Sequence, residues 1–464
     1  MSQLIVNYYM PSKIHLIAIG GSVMHNMALA LVRQGHQITG SDDQIFEPAK
    51  SRLDRVGILP DKEGWDSSKI CSDLDAVILG MHAKSDNPEL IRALELEIPV
   101  YSFPAYVSEM FHDKLKVVVA GSHGKTTTTS MIMHVLKSLN LSFDFLVGAQ
   151  LEGFDEMVAF SDAPLAIIEG DEYLSSCLDL RPKFLHYAPQ ILIITGIAWD
   201  HYNVFPTLES YIKSFSDLIQ TMPEGGALIY FQGDPELVKI VKLYGGHLRT
   251  FPYGEANHIN KNGTTFLVSE TACYPLEIFG RHNLQNIEAV RLVCNLLEQN
   301  DDQVFAAMSS FKGAKRRLEL LEQSESKIIY QDFAHAPSKV KATVEAVREK
   351  YPDKRILVIQ ELHTYSSLNE IFLPQYKGTA NAADAVLIYF DQRALEIKRM
   401  PPLSSQIIKD AFSHPQLFVV DSSDQLEVDI LKLSKDYEVI LFLGSGNFGG
   451  LSLKDISQKI ISAV

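Results

Sequence analysis

The chain has little of several features that would place it in a specialised class. Its four cysteines, Cys71, Cys177, Cys273 and Cys294, are scattered and form neither a C-x-x-C pair nor a zinc-binding spacing, so reduced thiols are expected. It contains no uncharged apolar run of about 18 residues, which argues against a membrane span. The beginning, MSQLIVNYYM, lacks the pattern of a secretory signal. We therefore expect a cytoplasmic protein.

Positive charge is also scarce, with 42 Lys and Arg residues against 57 Asp and Glu residues and a formal net charge of −15. Such a chain has no general basic field that would gather phosphate backbones, which excludes nucleic acid as a main partner. At 464 residues and 46% hydrophobic content, it is long enough for several folded domains.

What the sequence does have is a series of short apolar runs rich in Val and Ile, separated by helical patterns. Runs with so little polar alternation are typical of parallel strands covered by helices on both faces. The predicted fold class is therefore α/β, with domains at 1–113, 114–314 and 315–464. The predicted strands lie at 13–21, 75–81, 116–122, 165–171, 190–197, 355–361, 384–390 and 437–446.

The segment VAGSHGKTTTT (119–129) combines the end of a strand, a glycine turn and the start of a helix. In this context backbone N–H groups can surround a phosphate, and Lys125 adds a positive charge. Thr126 is placed to bind Mg²⁺ through its hydroxyl. The strict G-x-x-x-x-G-K-[ST] pattern is not met, because Val119 stands at its first position. A helix capped by Ser122, with an incidental lysine, is the alternative.

Acidic residues follow two further predicted strands. IIEGDEY places Glu169, Asp171 and Glu172 after one strand, and ITGIAWDH places Asp200 and His201 after another. Mg²⁺ prefers a few carboxylates, with water and substrate oxygens completing its shell. Beside a phosphate loop these residues indicate a metal site, whereas alone each cluster would be an ordinary solvated loop.

Six segments, in this order, resemble the motifs of the Mur ligases, which are ATP-dependent amide-forming enzymes of peptidoglycan synthesis. The resemblance covers nearly the whole chain. It implies a Rossmann-like UDP-binding domain, a central P-loop ATPase domain and a Rossmann-like C-terminal ligase domain. The segments are GSHGKTT (121–127), EGDEY (169–173), DH (200–201), GRHNLQN (280–286), KRRLE (315–319) and DFAHAP (332–337).

The resemblance implies that five residues act in catalysis, namely Lys125, Glu169, His201, Arg317 and His335. Mg²⁺ would be held by Thr126, Glu169 and His201. Outside the motifs, Arg317 would be an ordinary surface charge. The ATP site would comprise Gly121, Ser122, His123, Gly124, Lys125, Thr126, Thr127, Asn283, Asn286, Arg317 and Asp332, with the two asparagines facing adenine and Asp332 the ribose. Without its motif, Asn286 would simply cap its helix or bond within it.

The N-terminal segment 14–42 has a glycine turn between a strand and a helix, but it lacks the third glycine of a dinucleotide fingerprint. By itself this turn is weak evidence for NAD. The resemblance implies instead that it binds the UDP of a sugar nucleotide. The matching residues are Gly21, Ser22, Asn26, Ser41, Asp42 and Asn87, although Asp42 alone would be a turn residue.

The implied reaction activates a carboxylate. ATP would phosphorylate the lactyl carboxylate of UDP-N-acetylmuramate, and an amine would then displace phosphate from the acyl phosphate. Two branches of the family fit, one using L-alanine and the other the recycled tripeptide L-Ala-γ-D-Glu-meso-diaminopimelate. The tripeptide branch is favoured by KRRLE (315–319), DFAH (332–335) and particularly EGDEY followed by KFLHYAPQILI (183–193), and also by the ending SGNFGGL (445–451).

Three features depart from the family pattern. Phe215 stands where many relatives carry a carbamylated lysine, although both branches lack that lysine. Ala336 replaces one histidine of a His-His-Pro motif. The segment QELHTYSSLNE (360–370) has no arginine to meet an acceptor carboxylate, which leaves His363, Tyr365 or Ser366 as substitutes. A P-loop hydrolase or kinase, and a relative that binds nucleotide without turnover, are the alternatives from other classes.

Overall fold

The structure is a computed structural model that describes residues 12–151, 153–199, 204–261, 263–313 and 317–462. All eight predicted strands are present, and each pairs in parallel with at least one neighbour. The predicted α/β class is therefore confirmed. Within these ranges, every helix is too short or too polar to cross a lipid bilayer.

The N-terminal part is a four-stranded parallel sheet in the order β2-β1-β3-β4. Its third helix begins at Pro88, where the preceding Asn87 side chain accepts hydrogen bonds from two backbone N–H groups; this is a usual way to start a helix. The elements are β1 (Lys13–Ile17), α1 (Ser22–Arg33), β2 (Gln37–Ser41), α2 (Ala49–Arg55), β3 (Ala76–Leu79), α3 (Pro88–Glu95), β4 (Val100–Ser102) and α4 (Phe103–Met110).

The central part is a seven-stranded sheet in the order β11-β10-β9-β5-β8-β6-β7, followed by a small antiparallel sheet of β12, β13 and β14. Helix α5 is buried on most of its surface, because it packs against α8 and α9 as well as the sheet. The elements are β5 (Leu115–Ala120), α5 (Lys125–Ser138), β6 (Asp144–Leu146), β7 (Val158–Ala159), β8 (Leu165–Glu169), β9 (Ile191–Ile194), α6 (Leu208–Gln220), β10 (Ala227–Phe231), α7 (Pro235–Tyr244), β11 (Arg249–Tyr253), β12 (His258–Lys261), β13 (Thr264–Val268), β14 (Cys273–Pro275), α8 (Arg281–Leu296) and α9 (Asp301–Met308).

The C-terminal part is a six-stranded sheet in the order β15-β16-β20-β17-β18-β19, parallel except for β15. Apolar clusters cover both of its faces. The elements are β15 (Glu319–Gln323), β16 (Ile328–Asp332), α10 (Pro337–Lys350), β17 (Ile356–Leu362), β18 (Ala385–Phe390), α11 (Gln392–Ile397), α12 (Ser405–Phe412), β19 (Leu417–Val420), α13 (Ser423–Leu433), β20 (Val439–Leu443) and α14 (Leu453–Ser462).

Candidate active site

The glycine loop 121–124 joins β5 to α5 at the carboxyl end of the central sheet. Gly121 and Gly124 have φ angles of +127° and +71°, which a residue with a side chain rarely adopts. A Cβ on Gly124 would lie 2.7 Å from Asn286 Oδ1, and one on Gly121 would lie 2.9 Å from the carbonyl oxygen of Gly196. The two glycines therefore allow the loop both its turn and its close packing.

Helix α5 begins after Gly124 without a side-chain cap. The Ser122 hydroxyl donates instead to the carbonyl oxygen of Gly196, at 3.2 Å. The alternative of a helix capped by Ser122 is therefore wrong. An uncapped helix start leaves backbone N–H groups for an anionic ligand, which is what a phosphate loop requires.

Lys125 lies among acidic side chains. Its Nζ donates to Glu172 Oε2 at 2.5 Å and to the carbonyl oxygen of Gly121 at 2.8 Å. Glu172 is fully buried, and its other oxygen accepts a hydrogen bond from the Tyr211 hydroxyl at 3.3 Å. Burial opposes the charged form of Lys125, but the surrounding carboxylates outweigh it and raise the lysine's pKa. Lys125 is therefore positively charged at neutral pH, and these hydrogen bonds fix its position.

Thr126 and Glu169 meet beside this lysine. The Thr126 hydroxyl donates to Glu169 Oε1 at 2.7 Å, and the other carboxylate oxygen accepts the backbone N–H of Gly148 at 2.8 Å. A hydroxyl and a carboxylate are hard oxygen ligands that suit Mg²⁺. No group of three or more His, Cys, Asp or Glu that could bind a metal occurs among the described residues. Among these residues, Thr126 and Glu169 would leave coordination positions of a metal for water or substrate oxygens. His201 lies outside the described residues.

Arg317 and Ser338 of the C-terminal domain contact residues at this loop. Arg317 Nη2 lies 3.5 Å from Thr126 Oγ1, and its guanidinium stacks 4.9 Å from the ring centre of Phe333. Ser338 Oγ is 2.8 Å from His123 Nε2. These contacts place an arginine from the third domain at the predicted metal and phosphate position.

A cavity of about 490 Å³ opens at this junction and is lined by residues from all three parts of the chain. Some lining residues were not predicted from the sequence, because only tertiary packing brings them to the cavity. They are Val23, Phe103, Tyr173, Lys183, Tyr187 and Lys339. The predicted site residues on its wall are Ser122, His123, Gly124, Lys125, Thr126, Glu169, Asp171, Arg317 and His335.

The cavity wall does not include the predicted adenine and ribose residues, although Asn286 approaches the glycine loop at Gly124. Asn283 Nδ2 donates to the carbonyl oxygen of Phe279 at 2.8 Å, and both Asn283 and Asn286 are buried. Asp332 accepts the backbone N–H of Ala334 at 2.7 Å, and burial raises its pKa. Their roles toward ATP, and that of Thr127, stay predictions.

The predicted UDP residues are engaged in structural bonds. Asn26 Oδ1 accepts the backbone N–H of Met157 at 3.2 Å. Ser41 is fully buried and receives a hydrogen bond from Lys69 at 3.0 Å. Asp42 accepts the backbone N–H of Gly20 at 2.7 Å. Roles of this group in binding UDP stay predictions, as they do for Gly21, Ser22 and Asn87.

Two positions singled out by comparison with the family lie away from the cavity wall. Phe215 is buried on α6, with its ring centre 5.2 Å from that of Tyr211. His363 follows β17 and is half-buried, and burial lowers its pKa. Phe215 thus packs among aromatic rings at the position where many relatives carry the carbamylated lysine. A role of His363 toward an acceptor remains a prediction.

The site combines a glycine loop, a lysine fixed by hydrogen bonds, an adjoining hydroxyl and carboxylate, and an arginine from the next domain. This combination defines a nucleotide-dependent enzyme that handles phosphoryl groups. Profiles of three Mur ligase domains match in order: the family's catalytic domain at residues 13–114, its middle domain at 119–294 and its glutamate ligase domain at 316–446. This chain belongs to the Mur ligase family, whose members are ATP-dependent amide-bond ligases.

Relatives of two specificities resemble the chain over nearly its whole length. It is 28% identical over 461 residues to the UDP-N-acetylmuramate–L-alanyl-gamma-D-glutamyl-meso-2,6-diaminoheptandioate ligase of Haemophilus influenzae, covering 97% of this chain and 98% of that protein. It is 27% identical over 452 residues to the UDP-N-acetylmuramate–L-alanine ligase of Desulfitobacterium hafniense, covering 94% and 98%. The crystal structure of the UDP-N-acetylmuramate-alanine ligase MurC from Thermotoga maritima matches with a TM-score of 0.70 at 22% identity, covering 97% and 98%. The predicted three-domain architecture is confirmed.

Proposed function

We propose that this chain joins UDP-N-acetylmuramate to L-Ala-γ-D-Glu-meso-diaminopimelate, using ATP and Mg²⁺, in peptidoglycan recycling. The observation that carries the ligase chemistry is the meeting of Lys125, the Thr126–Glu169 pair and Arg317 at one three-domain cavity. A hydrolase acting on nucleotide alone would have no need of a cavity wall from three domains.

The chemistry requires two anions, a triphosphate and a carboxylate, to approach each other. Lys125 and Arg317 supply fixed positive charge at the place where they would meet, which lowers the cost of the approach. Mg²⁺ bound by the oxygens of Thr126 and Glu169 would neutralise phosphate charge there.

Transfer of the terminal phosphoryl group to a carboxylate oxygen yields an acyl phosphate and ADP. The acceptor nitrogen then attacks the carbonyl carbon, and collapse of the tetrahedral intermediate forms the amide and expels phosphate. His335 lines the cavity where this occurs. Its Nδ1 is 2.9 Å from the carbonyl oxygen of Phe333, and its backbone carbonyl accepts the Tyr376 hydroxyl, so the imidazole is held in position.

The tripeptide is favoured by the chemistry of the segment 360–370. Ser366 is buried, and Ser367 is bonded to Thr364 at 3.0 Å. Tyr365 is half exposed, and Lys398 Nζ lies 5.4 Å from its ring centre. A lysine is a point charge without the two-pronged geometry of arginine. A free amino acid depends on a close grip on its own α-carboxylate, whereas a tripeptide carries its carboxylates farther from the reacting amine.

Phosphate release with UDP-N-acetylmuramate and each amine tests the proposal. Losing a charge-assisted hydrogen bond costs about 1.5–3 kcal/mol, or roughly one to two powers of ten in binding. We therefore expect kcat/KM for the tripeptide to exceed that for L-alanine by at least about tenfold. Equal rates, or a faster reaction with L-alanine, would assign the chain to L-alanine ligation. Phosphate release that does not depend on UDP-N-acetylmuramate would indicate a hydrolase. Nucleotide binding without turnover would indicate a non-catalytic relative.

A further inference from the structure

Lys183 is a cation on the cavity wall for which the proposed chemistry has given no role. The side chain is buried, and its Nζ donates to Asp171 Oδ2 at 2.6 Å. The same nitrogen lies 5.4 Å from the ring centre of Phe103 and 5.8 Å from that of Tyr173. Because Phe103 is the first residue of α4 in the N-terminal domain, Lys183 lies where that domain meets the central one.

The fold holds this lysine at both its backbone and its side chain. Its backbone N–H donates to the carbonyl oxygen of Tyr173 at 2.9 Å, and the next residue, Phe184, donates to that of Asp171 at 3.1 Å. Leu174 and Pro182 form a backbone bridge that closes the loop between them. The ammonium group is therefore placed before any ligand arrives, and preorganised charge is the kind that contributes most to binding and catalysis.

The cationic side chains that line the cavity come from different parts of the chain. Lys125 belongs to the phosphate loop, and Arg317 and Lys339 come from the C-terminal domain. Lys183 is the lysine beside Phe103, on the side of the N-terminal domain. An ammonium has three N–H donors, and the Asp171 carboxylate accepts one of them.

Asp171 also places Lys183 relative to the chemistry. It lies two residues after Glu169, which is bonded to Thr126, so Lys183 is tied to the same strand end as the predicted metal ligand. Lys183, Phe103 and Glu169 line the same cavity, so the ammonium lies on a wall that a carboxylate bound in this cavity would contact. We infer that Lys183 contacts the carboxylate of the acyl donor and sets the donor's affinity, an inference that rests on the proposed function.

The test compares Lys183→Met and Lys183→Arg with the wild type in phosphate-release kinetics. Removing a charge-assisted contact should raise KM for UDP-N-acetylmuramate by at least about tenfold, with KM for ATP nearly unchanged. Lys183→Arg should recover part of the loss, since it keeps the charge. UDP-N-acetylglucosamine, which lacks the lactyl carboxylate, should inhibit the Met variant and the wild type equally.

A matched control is available in the same domain. Lys114 Nζ lies 2.9 Å from Asp144 Oδ2 in another ion pair, and its side chain is 11% exposed against 8% for that of Lys183. Neither Lys114 nor Asp144 lines the cavity. Lys114→Met should lower Tm while leaving KM for the donor unchanged. If Lys183→Met behaves in the same way, the lysine is structural and the inference is overturned. Equal weakening of both UDP-sugars would also overturn it, because it would show a diphosphate contact.

Failure of the proposed function gives a different result. In that case the wild type releases no phosphate with either amine, whatever Lys183 does. Calorimetric titration of UDP-N-acetylmuramate needs no turnover, so it still compares the wild type with Lys183→Met. Weaker binding to the variant supports the contact, and equal binding, or none to either protein, refutes it.

Discussion

The phosphate loop and the glycine turn of the N-terminal domain share a strand–turn–helix plan, yet their polar side chains are used differently. Lys125 and Thr126 bond to acidic side chains at the cavity. At the other turn, Asn26 bonds to the backbone of Met157, and Ser41 is buried beneath Lys69. A similar local plan thus supports a cavity wall in one domain and a domain contact in the other.

The reason lies in what covers each helix start. The phosphate loop follows the central strand β5, whose neighbours β8 and β9 end beside it. The start of α1, by contrast, contacts the segment 155–157 of the central domain, and the residue of its first turn that lines the cavity is the apolar Val23. Arg52 Nη2 donates to the carbonyl oxygen of Asp155 at 2.6 Å, and Ser22 Oγ lies 3.4 Å from Met157 Sδ. These contacts favour a structural role for the polar side chains at the start of α1, and their roles toward UDP stay predictions.

The largest expected effect is at the phosphate loop. Lys125→Ala should abolish turnover, because it removes the cation that would meet the phosphates. It should also lower stability by about 3–5 kcal/mol, because Glu172 would be left buried without its partner. The double variant Lys125→Ala/Glu172→Gln should recover stability without recovering activity. Phosphate release and urea unfolding measure the two effects, and near-normal turnover in either variant would refute the phosphate role.

A smaller effect is expected at the metal position. Glu169→Gln should raise the Mg²⁺ concentration for half-maximal activity by roughly tenfold or more, since even partners of metal ligands commonly contribute that much. His201→Ala should shift it in the same direction. Titration of Mg²⁺ at saturating ATP gives the value. An unchanged Mg²⁺ requirement would show that Glu169 serves only to bond Thr126 and Gly148.

At the N-terminal turn the expected effect is on stability. Asn26→Ala leaves the backbone N–H of Met157 without its side-chain acceptor, which costs about 1–3 kcal/mol when the group is buried. Urea unfolding should show this loss, with KM for UDP-N-acetylmuramate changed much less than in Lys183→Met. The opposite result, a large rise in KM at unchanged stability, would remove the difference between the two turns and establish Asn26 as a ligand residue.

The smallest effect concerns the predicted adenine-side motif. Burial lowers the pKa of His282 to about 4, from its usual 6.5. Protons therefore bind the unfolded chain more readily between these values, and stability falls as the pH drops through this window. His282→Gln should lose less of its Tm between pH 7 and pH 5 than the wild type does. Identical pH profiles would show that His282 does not titrate in this way.

Much of the fold could be read from local pattern. Continuous apolar runs predict buried parallel strands because both faces must be covered, and the order of the six motifs indicates a three-domain ligase. The glycine loop, Lys125 and Glu169 were also predicted, because a phosphate cradle needs a strand, a turn and a helix that are adjacent in the sequence. These features depend on neighbours within a few residues, so the sequence by itself determined them.

Tertiary structure alone decided which polar groups face one another. Glu172 pairs with Lys125, Phe103 reaches Lys183, and Arg317 reaches Thr126 across separations of 47, 80 and 191 residues. No periodicity records such contacts, because they arise where separate sheets and loops pack together. The same packing engages Asn26 and buries Ser41. Residue type and spacing determined the chemistry this protein carries, and the meeting of its three domains decided where that chemistry is exposed.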